Sequence, residues 1–249
     1  MKRKYKVTIA YDGTNYSGWQ FQTNAVGVQQ VVEEALGSLE GAPVRVFGSS
    51  RTDAGVHAKG FVGHVVLTKP IPPESLVRAA NARLPDAVRI LKAAYAKDDF
   101  DARLSAKGKE YRYQLYQADI LPPHLAPFWA FCHRPLDLAA MQEAASYFVG
   151  RHDFVSFAAN PNRALESTVR RVFSFDVRKA GPRYTFVVRG DGFLYKQVRS
   201  MVGFLLAVGK GNERPSAVKE LLAAKAPRTA RVETAPARGL FLWKVFYRA

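Results

Sequence analysis

The spacing of apolar residues changes repeatedly along the first 95 residues, and the order of these changes constrains the fold more than any other feature. Apolar residues two apart predict β-strands, and the i, i+3, i+4, i+7 stripe that begins at Val28 predicts an amphipathic helix. The predicted elements are a strand from Tyr5 to the turn at Asp12, helix 28–39, strand 44–47, strand 61–67, helix 73–84 and strand 88–95. This βαββαβ order is typical of a ferredoxin-like unit.

The second half of the chain predicts a variation on the same unit. Its predicted elements are strand 110–116, helix 138–148, a hairpin of strands 169–177 and 184–189, helices 194–208 and 215–224, and strand 240–247. We therefore predict an α+β protein of two related ferredoxin-like domains, with mainly antiparallel sheets and helices on one face. The predicted domains are residues 1–104 and 105–249.

The charge of the chain is strongly positive and unevenly distributed. Lys and Arg number 37 against 21 Asp and Glu, a formal net charge of +16. Such an excess is typical of proteins that bind nucleic acids. Residues 1–104 carry 14 basic and 10 acidic side chains, a net of +4, and residues 105–249 carry 23 and 11, a net of +12. We expect the second domain to supply most contacts with phosphates.

Several classes of site are not supported by the sequence. The single cysteine, Cys132, cannot form a disulfide within the chain or a cysteine zinc cluster. No metal-binding spacing, no Gly-rich phosphate loop after a strand, no signal-peptide core and no apolar run of about 20 residues occur. We therefore predict a cytoplasmic protein with no metal, no nucleotide cofactor and no membrane segment.

The predicted loop 48–60 concentrates charged side chains between two strands. Arg51, two residues before Asp53, is placed to keep that carboxylate ionised, as a nucleophile or base requires. The alternative is structural, with an Asx turn at Asp53, a positive φ at Gly55 and a packed imidazole at His57. Spacing alone favours the structural interpretation, whereas the density of charged groups favours a catalytic one.

A binding function without catalysis also fits the predicted order, because the RNA recognition motif shares it. The third strand begins Lys59-Gly60-Phe61, as in that motif, but continues Val62-Gly63-His64 where a small residue, an aromatic residue and Val are required. Gly63 supplies no ring on which a base could stack. A non-catalytic RNA-binding protein of this type is the alternative function.

The segment 51–58, Arg-Thr-Asp-Ala-Gly-Val-His-Ala, resembles the signature loop of the tRNA pseudouridine synthase A family. Further segments resemble the family in the same order over nearly the full chain: Tyr11-Asp12-Gly13, Gly18-Trp19-Gln20, Lys109-Glu110-Tyr111-Arg112-Tyr113, His152-Asp153-Phe154, Gly192-Phe193-Leu194, Val198-Arg199-Ser200-Met201-Val202-Gly203 and Gly239-Leu240. The resemblance implies the pseudouridine synthase fold. It also implies isomerisation of uridine at positions 38, 39 and 40 of the tRNA anticodon stem-loop by a cofactor-free homodimer.

The resemblance also implies roles for five residues. Asp53 attacks or deprotonates the sugar, and Arg199 pairs with the carboxylate and keeps it ionised. Tyr111 stacks on the target base, and Leu240 forms an apolar wall of the pocket. A stacked uridine cannot reach a carboxylate, so the target must be flipped, and Arg51 is expected to enter the vacated space. Without the resemblance, Arg199 would be interpreted as a helix-surface residue and Tyr111 and Leu240 as strand core.

Overall fold

A computed structural model describes residues 2–159 and 167–247. The described residues form two compact units. The first comprises residues up to Lys107 together with those from Phe241 onward, and the second comprises Gly108–Leu240. In the described residues no helix is long and apolar enough to cross a membrane.

The first unit has the predicted βαββαβ order. Its elements are β1 (Arg3–Tyr11), α1 (Val28–Glu40), β2 (Phe47–Gly48), β3 (His57–Leu67), α2 (Pro73–Asn81) and β4 (Val88–Tyr95). Antiparallel pairing places the strands in the order β4, β1, β3, and the short β2 also pairs antiparallel with β3. The predicted strand 44–47 is therefore limited to two residues that begin at Phe47.

Alternation of buried residues explains how this unit forms. Tyr5, Val7 and Ile9 of β1 are fully buried, while the residues between them are partly exposed. In α1 the buried positions follow the predicted stripe, and the helix ends at Gly41, whose φ of +80° is a common helix C-terminal conformation. The α2 helix buries Leu76 and Ala80, so both helices contribute apolar faces to one core.

The second unit is also a mixed α and β structure. Its elements before residue 240 are β5 (Gly108–Gln117), β6 (Ala130–Cys132), α3 (Leu138–Ser146), β7 (Gly150–Asp153), β8 (Val169–Ala180), β9 (Arg183–Gly190), α4 (Gln197–Gly209) and α5 (Ala217–Ala224), with short 3₁₀ helices at Pro123–Leu125, Val155–Phe157 and Ala237–Gly239. The strand order is β5, β9, β8, β7 with antiparallel pairing, and β6 pairs parallel with β5. The predicted α+β class with mainly antiparallel strands is confirmed.

The last strand, β10 (Leu240–Phe246), changes the predicted domain boundaries. The sequence assigns it to the second domain, but Phe241 and Leu242 pair parallel with His57 and Ala58 of β3. This pairing groups the residues from Phe241 onward with the first unit, and the boundary in the middle of the chain falls after Lys107 rather than after residue 104. The same pairing makes β3 begin at His57, four residues before the predicted start.

Candidate active site

Asp53 lies in a tight turn between β2 and β3. The N–H of Val56 donates to the carbonyl oxygen of Asp53 at 3.1 Å. Gly55 has a φ of +74°, as the third residue of a type II turn requires. The N–H of Gly55 donates to the carbonyl oxygen of Tyr16 at 3.3 Å. The backbone bond closes the turn, and the half-buried side chain of Asp53 projects from it.

Two glycines from the segment after β1 fit against the backbone of this turn. A Cβ atom at Gly18 would lie 2.3 Å from the carbonyl oxygen of Thr52, immediately before Asp53. A Cβ atom at Gly13 would lie 2.1 Å from the carbonyl oxygen of Val56, the last residue of the turn. Real Cβ atoms do not approach so closely, so any side chain at either glycine would displace the turn. Both glycines belong to motifs of the resemblance, but their contact with the turn was not predicted.

Thr52 anchors the turn to the core of the first unit. Its hydroxyl forms a buried hydrogen bond with the hydroxyl of Tyr11 at 2.9 Å. Its carbonyl oxygen accepts the N–H of Trp19 at 3.2 Å. The indole of Trp19 in turn stacks on Phe61 with ring centroids 3.9 Å apart. Arg51, on the other side of Thr52, is exposed.

His57 follows the turn, and its side chain is completely buried. Its Nδ1 accepts the N–H of Gly13 at 3.0 Å, and its ring stacks on Phe241 with centroids 4.6 Å apart. One carboxylate oxygen of Asp12 lies 3.1 Å from the same nitrogen, but that oxygen also accepts the N–H of Thr14 at 2.9 Å. His57 therefore supports the turn, as the structural interpretation expected.

Tyr111 lies on the core-facing side of β5 in the second unit and is 7% exposed. Its ring packs edge to face against Phe193, with centroids 5.4 Å apart and an interplanar angle of 88°. Phe193 belongs to the motif 192–194 of the resemblance. Leu240 is buried and follows the 3₁₀ helix at Ala237–Gly239.

Arg199 is held by α4 and by a chain segment that follows α5. Its Nε donates to the carbonyl oxygen of Ala235 at 2.8 Å, and the N–H of Ala235 donates to the carbonyl oxygen of Arg199 at 3.0 Å. Gly203, one helical turn later, has no space for a side chain, because a Cβ atom there would lie 2.1 Å from the carbonyl oxygen of Glu233. Both residues belong to the motif 198–203 of the resemblance, but this close packing was not predicted.

Glu110 joins β5 to β9 on the sheet face opposite Tyr111. Its carboxylate is almost completely buried and contacts the Nε atoms of Arg112 and Arg189, each at 2.7 Å. Burial raises the pKa of Glu110, but the hydrogen bonds and charges of the two arginines outweigh it and leave that pKa below its ordinary value. This ionised group therefore has a structural role.

Two arginines face each other across β7 and β8. Arg151 and Arg171 are directly opposed, and both are exposed. Like charges in this arrangement are unfavourable. The oxygen of Asp191 nearby accepts the backbone N–H of Arg171 at 3.0 Å. A cleft of about 360 Å³ is lined by Arg151, Val169, Arg170, Arg171 and Asp191. An anionic ligand would relieve the repulsion between the two arginines.

The five predicted site residues fall in two sets. Arg51 and Asp53 belong to the turn of the first unit, and Tyr111, Arg199 and Leu240 belong to the second unit. Within residues 2–159 and 167–247, no group of three His, Cys, Asp or Glu side chains could hold a metal ion.

Comparison with known proteins identifies the family. A family model described as tRNA pseudouridine synthase matches residues 7–104 and 144–248. The tRNA pseudouridine synthase A of Syntrophotalea carbinolica is 45% identical over 242 residues, which cover 97% of this chain and 95% of the relative. That of Pelobacter propionicus is 45% identical over 245 residues, which cover 98% and 100%. A solved chain from an H/ACA RNP bound to a substrate RNA containing 2'-deoxyuridine is 15% identical, with a TM-score of 0.38; the match covers 81% of this chain and 44% of that one.

The matches to the family model and to the relatives confirm the resemblance predicted from the motifs. They do not support the alternative of a non-catalytic RNA recognition motif. The relatives match over nearly their whole length, so the similarity extends well beyond the loop that carries Asp53. The chain belongs to the tRNA pseudouridine synthase family.

Proposed function

We propose that this protein isomerises uridine to pseudouridine at positions 38, 39 and 40 of the tRNA anticodon stem-loop, with Asp53 as the reacting carboxylate. Family membership supports the reaction class and the tRNA substrate. The observation that carries the proposal is the construction of the turn at Asp53. Gly18 and Gly13 fit against the backbone on either side of this residue, and Thr52 is anchored in the core. The backbone of Asp53 is therefore held in a fixed position.

The reaction needs a carboxylate more than it needs any other group. The bond between N1 of uracil and C1′ of ribose breaks, the base turns, and C5 forms the new bond to C1′. The proton on C5 is lost and N1 gains one, so the reaction is redox-neutral and transfers no phosphate. An ionised Asp53 can begin it by attacking C1′ or by removing a proton from the sugar. A metal or nucleotide cofactor is not needed for any of these steps.

The other predicted residues receive roles in the same proposal. We assign to Arg199 the task of keeping the reacting carboxylate ionised, and to Tyr111 the task of stacking on the uracil. Leu240 supplies an apolar wall, which helps to prevent the free base from escaping. Arg51 fills the space left by the flipped nucleotide. The exposure of Arg51 supports its assignment, because a side chain that enters a duplex must be accessible to RNA.

Binding of tRNA is assigned mainly to residues 105–249, which carry a net charge of +12. The opposed side chains of Arg151 and Arg171 and the cleft beside them offer one site for backbone phosphates. We also propose that the protein works in the cytoplasm as a homodimer. The absence of paired cysteines supports the compartment, and the family resemblance supports the dimer.

The deciding experiment is incubation of unmodified tRNA with the purified protein alone, followed by chemical mapping of pseudouridine. We expect modification at positions 38, 39 and 40, and we expect Asp53→Asn to abolish it while tRNA affinity stays within about twofold. The matched control is Asp86→Asn, which removes an exposed carboxylate that pairs with Arg89 at the surface of the same unit. Treating the enzyme with EDTA before adding folded tRNA should leave the rate unchanged.

Two results would contradict the proposal. If the wild-type protein binds tRNA but leaves every uridine unchanged, it is a binding protein. If Asp53→Asn forms pseudouridine at a rate close to that of the wild type, another group carries out the reaction.

A further inference from the structure

Tyr113 carries a buried hydroxyl group that has no assigned role. It lies two residues after Tyr111 on β5 and therefore points to the same face of the sheet. The side chain is 1% exposed, and its ring packs edge to face against Phe186 with centroids 6.1 Å apart. The hydroxyl oxygen is buried and has no hydrogen-bond partner among the described residues. Such a group lowers stability, because water has been removed from it without replacement.

The backbone fits closely over the end of the ring that carries this hydroxyl. A Cβ atom at Gly239 would lie 2.8 Å from Cζ of Tyr113 and 2.7 Å from the carbonyl oxygen of Gln114. Glycine at position 239 therefore allows the chain to pass over the ring immediately before Leu240. Phe at position 113 would fill the same space without burying an unpaired oxygen. The presence of Tyr instead of Phe indicates that the hydroxyl has a role other than packing.

The charges around the hydroxyl indicate what this use is. Burial raises the pKa of Tyr113 far above its ordinary value, although the positive charges of Arg199 and Arg238 partly oppose the shift. The hydroxyl therefore stays neutral, and its oxygen retains lone pairs that can accept hydrogen bonds. A guanidinium group offers five N–H donors, and the Nε of Arg199 uses one of them on the carbonyl oxygen of Ala235.

We propose that Tyr113 is a positioning residue for the isomerisation: in the RNA-bound enzyme its hydroxyl oxygen accepts a hydrogen bond from the guanidinium group of Arg199. The proposal rests on the function assigned above to Arg199. Ala235 at the Nε and Tyr113 at a terminal nitrogen together hold the plane of the guanidinium group at two points. A charged group fixed in this way acts on the reacting carboxylate without first having to reorganise. The hydroxyl itself is buried and does not touch the uridine.

The test is Tyr113→Phe, which removes only the hydroxyl oxygen. We expect kcat to fall about 10- to 100-fold, because a small misplacement of a charged group has effects of this size. KM and tRNA affinity should stay within about twofold, since the phosphate contacts are unchanged. The melting temperature should stay constant or rise, because an unpaired polar atom leaves the core.

The matched control is Tyr5→Phe, in which the lost hydroxyl is paired. Tyr5 is fully buried, and its hydroxyl donates to the carbonyl oxygen of Ile71 at 2.8 Å. This variant should melt at a lower temperature and keep the wild-type kcat. An unchanged kcat in Tyr113→Phe would overturn the proposal. So would a fall in kcat accompanied by a lower melting temperature, because the hydroxyl would then be structural.

A second arm tests whether Tyr113 acts through Arg199. In an Arg199→Lys background, which keeps the charge and loses the planar group, adding Tyr113→Phe should change the single-turnover rate by less than about twofold. The full 10- to 100-fold loss in that background would overturn the proposal. All arms are measured against a wild-type enzyme that forms pseudouridine. Failure of the proposed function would appear there first, in the absence of any product.

Discussion

The turn that carries Asp53 and the region around Tyr111 are positioned by different kinds of contact. At the turn, the backbone of Gly18 and Gly13 fits directly against carbonyl groups of the neighbouring residues. Around Tyr111 the contact is between two rings, with Phe193 edge to face at 5.4 Å. A backbone contact offers no side chain that can repack, whereas a ring contact can adjust to a change of shape. Substitutions at the turn should therefore lower the rate of pseudouridine formation strongly, whereas substitutions around Tyr111 should lower it by smaller amounts that depend on the change in shape.

The largest effect is expected from Gly18→Ala. The new methyl group would lie 2.3 Å from the carbonyl oxygen of Thr52, and a φ of +86° is unfavourable for alanine. Because the turn must shift, we expect the rate of pseudouridine formation to fall about 10²-fold or more. Affinity for tRNA, measured by filter binding, should change little.

The control for Gly18→Ala is Gly181→Ala in the turn between β8 and β9. Gly181 also has a positive φ, +57°, but a Cβ atom there would have nothing within 4 Å. This variant has the same kind of backbone strain without the overlap, so it should keep the wild-type rate. If both variants lose activity equally, overlap with Thr52 is not what fixes Asp53.

A smaller effect, on tRNA affinity, is expected when either of the two opposed arginines of the second unit is replaced. Arg151→Gln and Arg171→Gln should each weaken tRNA binding by several-fold at about 0.15 M salt and reduce the salt slope by about one. The melting temperature should stay constant or rise, because each substitution removes one of two directly opposed positive charges, which repel each other. The measurement is tRNA affinity as a function of salt concentration.

Arg178→Gln is the matched control for the arginine pair. It removes the same charge from β8, the strand of Arg171, and Arg178 is also exposed but lies opposite the neutral Thr185. Its salt slope should stay closer to that of the wild type. Equal slopes for all three variants would show that the cleft beside Arg151 and Arg171 has no special part in binding.

The same contrast explains what could be predicted from the sequence. The order βαββαβ and the hairpin of β8 and β9 follow from local periodicity, and both were predicted. Strands β6 and β7 have three and four residues, too few for an apolar pattern to show. The pairing of Phe241 with His57 joins residues far apart in the chain, so no local pattern could indicate that β10 belongs with the first unit.

For the site, the sequence predicted candidate residues but not the contacts that hold them. Asp53 was a candidate from the charged loop 48–60 and from the family resemblance, whereas Arg199 was a candidate through the resemblance alone. The contact of Gly18 with Thr52 is a steric fit between distant segments, which spacing along the chain does not reveal. Tyr113 appeared in a motif, yet its unpaired hydroxyl becomes visible only when the surrounding atoms are known.

The smallest effect is expected from Phe193→Leu, which tests whether the ring contact with Tyr111 tolerates a change of shape. Leucine keeps an apolar contact with Tyr111 but loses the edge-to-face geometry, which contributes about 0.5–1.5 kcal/mol beyond burial. If that energy holds the Tyr111 ring in the orientation that stacks on uracil, the rate should fall roughly 2- to 10-fold. The control is Phe173→Leu on β8, an exposed ring of the same unit, which should keep the wild-type rate. A fall of about 100-fold in Phe193→Leu would show that the ring contact is as intolerant as the glycine contacts, and the distinction between the two regions would be lost. An unchanged rate would show that other contacts orient Tyr111.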